Sequence, residues 1–247
     1  MIIVRHEAKL RRMKEAGRIV GLTRRYLAEL IVPGIETGEL DRRAGEFIEK
    51  EGGRAAFKGY HGFPASICVS INEVVIHGIP GERRLLEGDI VSVDLGVEKD
   101  GFFADGAATF PVGVISKEKE KLIAVTRASL WAALGKIKSG LSVDDISFVV
   151  ENSVQAAGFS VVKSFCGHGI GRRLHQSPEV PNFVSGNDFR LYPGLGLAVE
   201  PMVNYKGAEV KVLSDGWTVV TVDGSPSAHF EETVVVLKDG CEVVTAI

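Results

Sequence analysis

The chain is poor in cysteine and in net charge, and it has no long apolar run. Each absence excludes a class. Only three cysteines, Cys68, Cys166 and Cys241, occur in 247 residues. Their number is odd and no two stand close together in sequence. Neither a disulfide-stapled module nor a cysteine-rich zinc site is expected, and the thiols read as free in a reducing compartment. No apolar stretch approaches the roughly 18 residues that span a bilayer, so no membrane partner is expected. The opening from Met1 to Glu7 shows no basic n-region, apolar h-region and cleavage site. The expected location is a bacterial-type cytoplasm. A net charge of −3 supplies no basic face for tight nucleic-acid binding. No linker or low-complexity segment interrupts the chain, so one domain over 1–247 is expected.

What the chain does have is glycine used as punctuation. Met13, Ala16, Val20, Leu27 and Leu30 recur at helical spacing over residues 7–31, and Pro33-Gly34 stops that helix. A second helix is expected over about 38–51, with Leu40, Ala44, Phe47 and Ile48 on one face, ending at Gly52-Gly53. Strands are expected at 66–71, 74–77, 90–96 and 102–114. The pattern then restarts. A helix over 118–138 stops at Ser139-Gly140, and a capping-box signal at Ser142 opens another through Ala157, which Gly158 ends. Strands resume at 159–163, 197–203, 209–213, 217–222 and 228–237. Gly34 and Gly140 are 106 residues apart, as are Gly52 and Gly158, and Leu40 and Ile146. This spacing predicts a duplicated helix-helix-strand unit, with internal halves of about 1–115 and 116–247 and a cleft between them.

The chemistry-bearing residues fall on those strands. Gly167-His168-Gly169-Ile170-Gly171 leaves one imidazole bare on both flanks, in a turn where the backbone can approach closely. Asp94 and Asp105 lie on two strands joined by a hairpin turn near 98–101. Loop residues 99–100 make them direct cross-strand partners, and 100–101 make them diagonal neighbours. Either register puts both on one sheet face, where like charges repel unless a cation neutralises them. Glu200 interrupts the apolar run 197–203, and charged residues are rarely buried without a partner. Glu231 and Glu232 head another apolar strand, and alternation alone leaves open which of them points inward. Oxygen-rich ligation with one imidazole suits Mn(II), Fe(II) or Co(II) better than a closed zinc site. Four carboxylates balance two divalent ions, the arrangement of metal-assisted hydrolysis.

An ordered set of motifs then brings a resemblance. These are Gly59-Tyr-His-Gly-Phe-Pro64, the run from Ser70 to Pro80, Gly88-Asp-Ile-Val-Ser-Val-Asp94, Asp105, Gly167 to Gly171, His175, Glu200-Pro-Met202, and Trp217 before Glu231. Over nearly its whole length the chain resembles the type I methionine aminopeptidases, in the short form without an N-terminal zinc-binding extension. The resemblance implies an α+β pita-bread fold: duplicated helix-helix-strand halves with pseudo-twofold symmetry around a curved, largely antiparallel sheet. It implies Asp94, Asp105, His168, Glu200 and Glu231 as metal ligands, with Asp105 and Glu231 bridging two ions, and so selects Glu231 over Glu232. It implies Glu200 as proton shuttle, and His77 and His175 as catalytic contacts to the scissile peptide. Tyr60, Phe63, Cys68, Leu174 and Trp217 would wall a methionine pocket with His77 and His175, and Phe57 would lie nearby. A turn at Asn72 and Val74 with Ser227 resembles the family's monovalent-cation site. The chain departs from its relatives at Glu232, where histidine is common, and at His229, where glutamine is.

The activity so implied is removal of the initiator methionine from nascent polypeptides with a small second residue. The enzyme would work as a monomer in transient association with the ribosome, with no nucleic acid as substrate. One rival is an Xaa-Pro aminopeptidase or dipeptidase of the same fold, whose members usually carry an extra N-terminal domain. Another is a non-catalytic peptide-binding module, which typically loses metal ligands.

Overall fold

A computed structural model describes residues 7–246; the opening segment read above for a leader lies largely outside the described residues. The first half runs α1 (Glu7–Leu30), α2 (Thr37–Lys50), β1 (Arg54–Ala55), β2 (Cys68–Ile71), β3 (Val74–Ile76), β4 (Ile90–Lys99) and β5 (Phe102–Pro111). The second runs α3 (Lys117–Leu134), α4 (Val143–Ala156), β6 (Ser160–Val161), β7 (Gly167–Gly169), β8 (Gln176–Val180), β9 (Gly196–Val199), β10 (Met202–Asn204), β11 (Val210–Val212), β12 (Val219–Thr221), β13 (Ser227–His229), β14 (Glu231–Val236) and β15 (Cys241–Val243). The main sheet has the order β1-β4-β5-β14-β9-β7-β8, with β2 also on β4 and β15 also on β14. Two three-stranded sheets, β13-β10-β6 and β11-β12-β3, complete it.

The helices form where the apolar stripe predicted them. Met13, Ala16, Val20 and Leu27 are buried along α1. Ser142 caps α4 with a reciprocal capping box to Asp145, satisfying two otherwise orphaned backbone donors. Helix α3 ends at Leu134, four residues short of the expected 138; Lys136 and Ile137 instead bond back to Ala133 and Leu134 in tighter turns.

The duplication is visible hydrogen bond by hydrogen bond. Gly34 donates to the carbonyl of Leu85 at 2.7 Å, and Gly140 donates to that of Leu191 at 2.9 Å. Both glycines have left-handed φ, +94° and +89°, a conformation that side chains other than glycine's rarely adopt. Arg84 reaches the carbonyl of Gly34 at 2.7 Å, and Arg190 that of Gly140 at 3.2 Å. Isolated bridges pair Glu36 with Arg84 and Ser142 with Arg190. Each pair is related by the same 106-residue offset. Separate apolar clusters fill the two halves, one holding Leu40, Ala44 and Ile48 and the other Val143, Ile146 and Val150.

Two expected strands are each broken in two. The run 197–203 divides at Glu200-Pro201, and 228–237 divides at Phe230. In both cases the chain passes between the main sheet and the small sheet β13-β10-β6, from β9 out to β10 and from β13 back into β14. Pro201 has no N–H to donate to a ladder, and its carbonyl accepts from Phe230 at 3.3 Å. The two crossings therefore lie side by side. Leu40 is fully buried in the first-half core, so Leu40→Ala should cost about 2–5 kcal/mol. The check is a lower urea midpoint at an unchanged denaturant slope.

Candidate metal centre

Five neighbouring strands of the main sheet, β4, β5, β14, β9 and β7, bring one donor each to one place. On β4 and β5 the register is Asp94↔Ala107 and Gly96↔Asp105. The turn is therefore 100–101, and the two aspartates are diagonal neighbours on one face. On the other side of β5, Ala107 pairs with Glu231 of β14. Glu200 directly follows β9, at the strand crossing. His168 pairs with Ala198 of β9.

His168 does not lie in a turn. It is the middle residue of β7, paired with β8 and β9. A Cβ at Gly167 would fall 2.4 Å from the carbonyl oxygen of Ala198, and one at Gly169 2.3 Å from that of Ser177. The flanking glycines therefore serve close strand approach, not a reversal of direction. The imidazole Nδ1 bonds the carbonyl of Gly169 at 3.0 Å. That contact puts the proton on Nδ1 and leaves the Nε2 lone pair aimed at the acids. Nε2 lies 3.9 Å from Asp105 Oδ2 and 3.7 Å from Glu200 Oε1.

Three overlapping groups have donor atoms within 4.8 Å of one another: Asp94, Asp105 and Glu231; His168, Glu200 and Glu231; and Asp105, His168 and His175. Glu231 and Asp105 each belong to two groups. Asp94 Oδ1 and Glu231 Oε1 are buried without a hydrogen-bond partner, a costly state for a carboxylate oxygen. Burial drives Asp94, Glu200 and Glu231 well above the ordinary carboxylate range, reinforced by Asp105 in each case. Burial likewise lifts Asp105 to about 7 and pushes His168 down to about 3, with His175 adding to the shift. Without a bound cation, burial therefore favours protons on these acids below about pH 7 and an unprotonated imidazole. A hard divalent cation fits this donor set and supplies the missing partner for the orphaned oxygens.

The cluster opens into a cavity of about 590 Å3 lined also by Phe57, Tyr60, Phe63, Cys68, His77, His175 and Trp217. The Tyr60 hydroxyl and His175 Nδ1 are 2.8 Å apart. The His175 ring stands edge-on to His168, with centroids 4.2 Å apart. His77 has φ +58°, a strained conformation for a side chain of its size. It faces Trp217 and Phe165 edge to face. Burial lowers the pKa of His77 to about 4 and also lowers that of His175. Leu174 does not line this cavity. It is buried in the apolar cluster that includes Phe102 and Ile170 and borders the adjoining cleft with Arg172 and Arg173. Phe165, Cys166 and Glu179 do line the cavity. Adjacency of Phe165 and Cys166 to the Gly167-His168 motif was the one signal for them.

The remaining expected features are also placed. Asn72 and Ser227 meet, the Ser227 N–H donating to the Asn72 carbonyl at 2.8 Å. The Lys119 ammonium donates to Asn72 Oδ1 at 3.0 Å, so a fixed positive charge already stands at this turn. His229 is buried with Nε2 3.6 Å from Glu200 Oε2. Glu232 turns away from the cavity onto Arg24 at 2.8 Å.

Residues 11–238 match the sequence pattern of metallopeptidase family M24. The chain belongs to metallopeptidase family M24. It is 51% identical to a methionine aminopeptidase of Clostridium perfringens over 248 aligned positions, covering all of both chains. It is 47% identical to methionine aminopeptidase 1 of Bacillus subtilis, again over the full length of both. The crystal structure of a methionine aminopeptidase from Thermotoga maritima superposes with a TM-score of 0.97 at 39% identity, covering all of both chains. The pita-bread architecture of this M24 protein is thus the one the motifs implied. Among its described residues no helix is long and apolar enough to cross a membrane.

Because the acids hold protons below their raised pKa values, divalent-ion binding must release them. Mn(II) affinity should therefore climb as pH rises through about 7, where Asp105 deprotonates. Calorimetric titrations in buffers of different ionisation enthalpy should show net proton release; a pH-independent affinity would contradict the protonated cluster.

Proposed function

We propose that this M24 protein is a metal-dependent methionine aminopeptidase, hydrolysing the first peptide bond of polypeptides that begin with methionine. The observation that carries this reading is the cluster of four acids and one imidazole opening onto an apolar pocket. A pocket that receives one side chain beside the donors suits an exopeptidase. In our reading Asp94, Asp105 and Glu231 would hold one divalent ion, and His168 and Glu200, next to Asp105 and Glu231, would hold a second. The donor set suits Mn(II), Fe(II) or Co(II). Bound there, the cations supply Lewis acidity and lower the pKa of water to the neutral range.

The chain's own residues do the rest. Glu200 stands beside His168 and His229 and is the group to take the proton from the attacking water and pass it to the leaving amine. His77 and His175, uncharged through burial, offer N–H donors to the scissile carbonyl as negative charge develops on it. Tyr60 fixes the His175 ring through Nδ1, leaving Nε2 for the substrate. Tyr60, Phe63, Cys68 and Trp217 take the methionine side chain, whose thioether gains from aromatic contact. The substrates are nascent chains with a small second residue, met in the cytoplasm during transient association of a monomer with the ribosome.

With Mn(II) or Co(II) restored after chelation, Met-Ala-Ser should release methionine much faster than an Xaa-Pro peptide is cut. His168→Ala should lose nearly all turnover and bind metal weakly while keeping a wild-type circular dichroism spectrum. Preference for Xaa-Pro, or near-normal turnover of His168→Ala, would contradict the reading.

A further inference from the structure

Asp105 and Glu231, the two acids that each belong to two donor groups, sit on strands that pair only briefly. Strands β5 and β14 register at Glu231↔Ala107 and Glu232↔Gly106 alone. A side-chain relay behind the cavity ties their main chains together instead. The Thr233 hydroxyl accepts from the N–H of Asp105 at 2.9 Å and donates to the Asp105 carbonyl at 2.8 Å. The N–H of Thr233 donates to the Thr245 hydroxyl at 3.0 Å, and that hydroxyl donates to Glu232 Oε2. Glu232 Oε1 accepts from Arg24 Nη2 at 2.8 Å. Arg24 closes the circuit, donating through Nη1 to the Glu231 carbonyl at 3.1 Å and through Nη2 to that of Thr245 at 3.2 Å.

The surroundings are built for this reach. A Cβ at Gly106 would fall 2.9 Å from Val20 Cγ1 and 3.3 Å from Arg24 Nη1, so α1 closes on β5 only over a glycine. The Arg24 and Glu232 side chains are 14% and 7% exposed. A pair this buried gives up much hydration and is a poor device for stability alone. Neither residue lines the catalytic cavity. The geometry points to a positioning function: we propose that the Arg24–Glu232–Thr245–Thr233 relay holds the main chains of Asp105 and Glu231 at the separation their carboxylates need to share two divalent ions. The inference rests on the metal reading above. It makes Glu232, the departure from the family pattern, a working part of this chain's metal centre.

The test is calorimetric titration of Mn(II) into metal-free Glu232→Gln, Thr245→Val and Arg24→Met proteins, beside wild type and Leu40→Ala. Loss of an outer support of this kind typically weakens metal binding roughly 10-fold or more. Glu232→Gln and Thr245→Val should show that weakening, together with a changed visible spectrum of the Co(II)-loaded protein. Leu40→Ala should lose stability but bind Mn(II) as wild type does. If Arg24→Met does not fold, the two conservative variants still decide the matter. Unchanged Mn(II) affinity and Co(II) spectrum in both would overturn the relay while leaving the enzyme reading intact. A wild type that binds no Mn(II) would overturn both.

Discussion

Mutual repulsion among buried carboxylates is the constraint on which the rest of this structure depends. Two like charges about 4 Å apart repel by about 4 kcal/mol at an effective dielectric near 20, and burial adds a desolvation cost for each. A site with Asp94, Asp105, Glu200 and Glu231 within reach of one another can exist only with those charges neutralised. Without a cation, burial drives all four acids upward, so protons take on part of this neutralisation. Divalent cations do it in the working enzyme. The site is therefore a store of unfavourable interactions that a specific ligand relieves.

Holding such a cluster together requires a frame that does not yield. The frame is the run of five adjacent strands, with the apolar cores of two matched halves packed around it. The side-by-side crossings at Glu200-Pro201 and Phe230 bring two acids to a corner of the sheets that an uninterrupted strand would not reach. Where β5 and β14 hold each other weakly, the buried Arg24–Glu232 pair and two threonines take over. Catalytic geometry here is largely a matter of main-chain placement, achieved by glycine at close approaches and by hydrogen bonds reached from outside the cavity.

Much of this is legible in the sequence. The apolar stripes of α1 and α2, the 106-residue offset and the shared face of Asp94 and Asp105 all follow from local periodicity, which the sequence writes directly. The rest depends on contacts between distant segments. Alternation could not separate Glu231 from Glu232, because the strand changes sheets at Phe230 and its parity is interrupted there. Glycine marks turns, so the sequence alone places His168 in one. The steric demand from Ala198 and Ser177 that makes those glycines strand residues is visible only once β7 lies between β8 and β9. Strand β8 carries Pro178 and Glu179 and has no apolar alternation to announce it. Leu174 sits beside His175 in the chain yet is turned into the core.

The most direct test of the account is crystallographic. A crystal grown with Mn(II) should show two anomalous-scattering peaks among Asp94, Asp105, His168, Glu200 and Glu231, roughly 3.5–4 Å apart, with Asp105 and Glu231 between them. No peak within this cluster, or ions bound elsewhere with the five side chains unengaged, would contradict it.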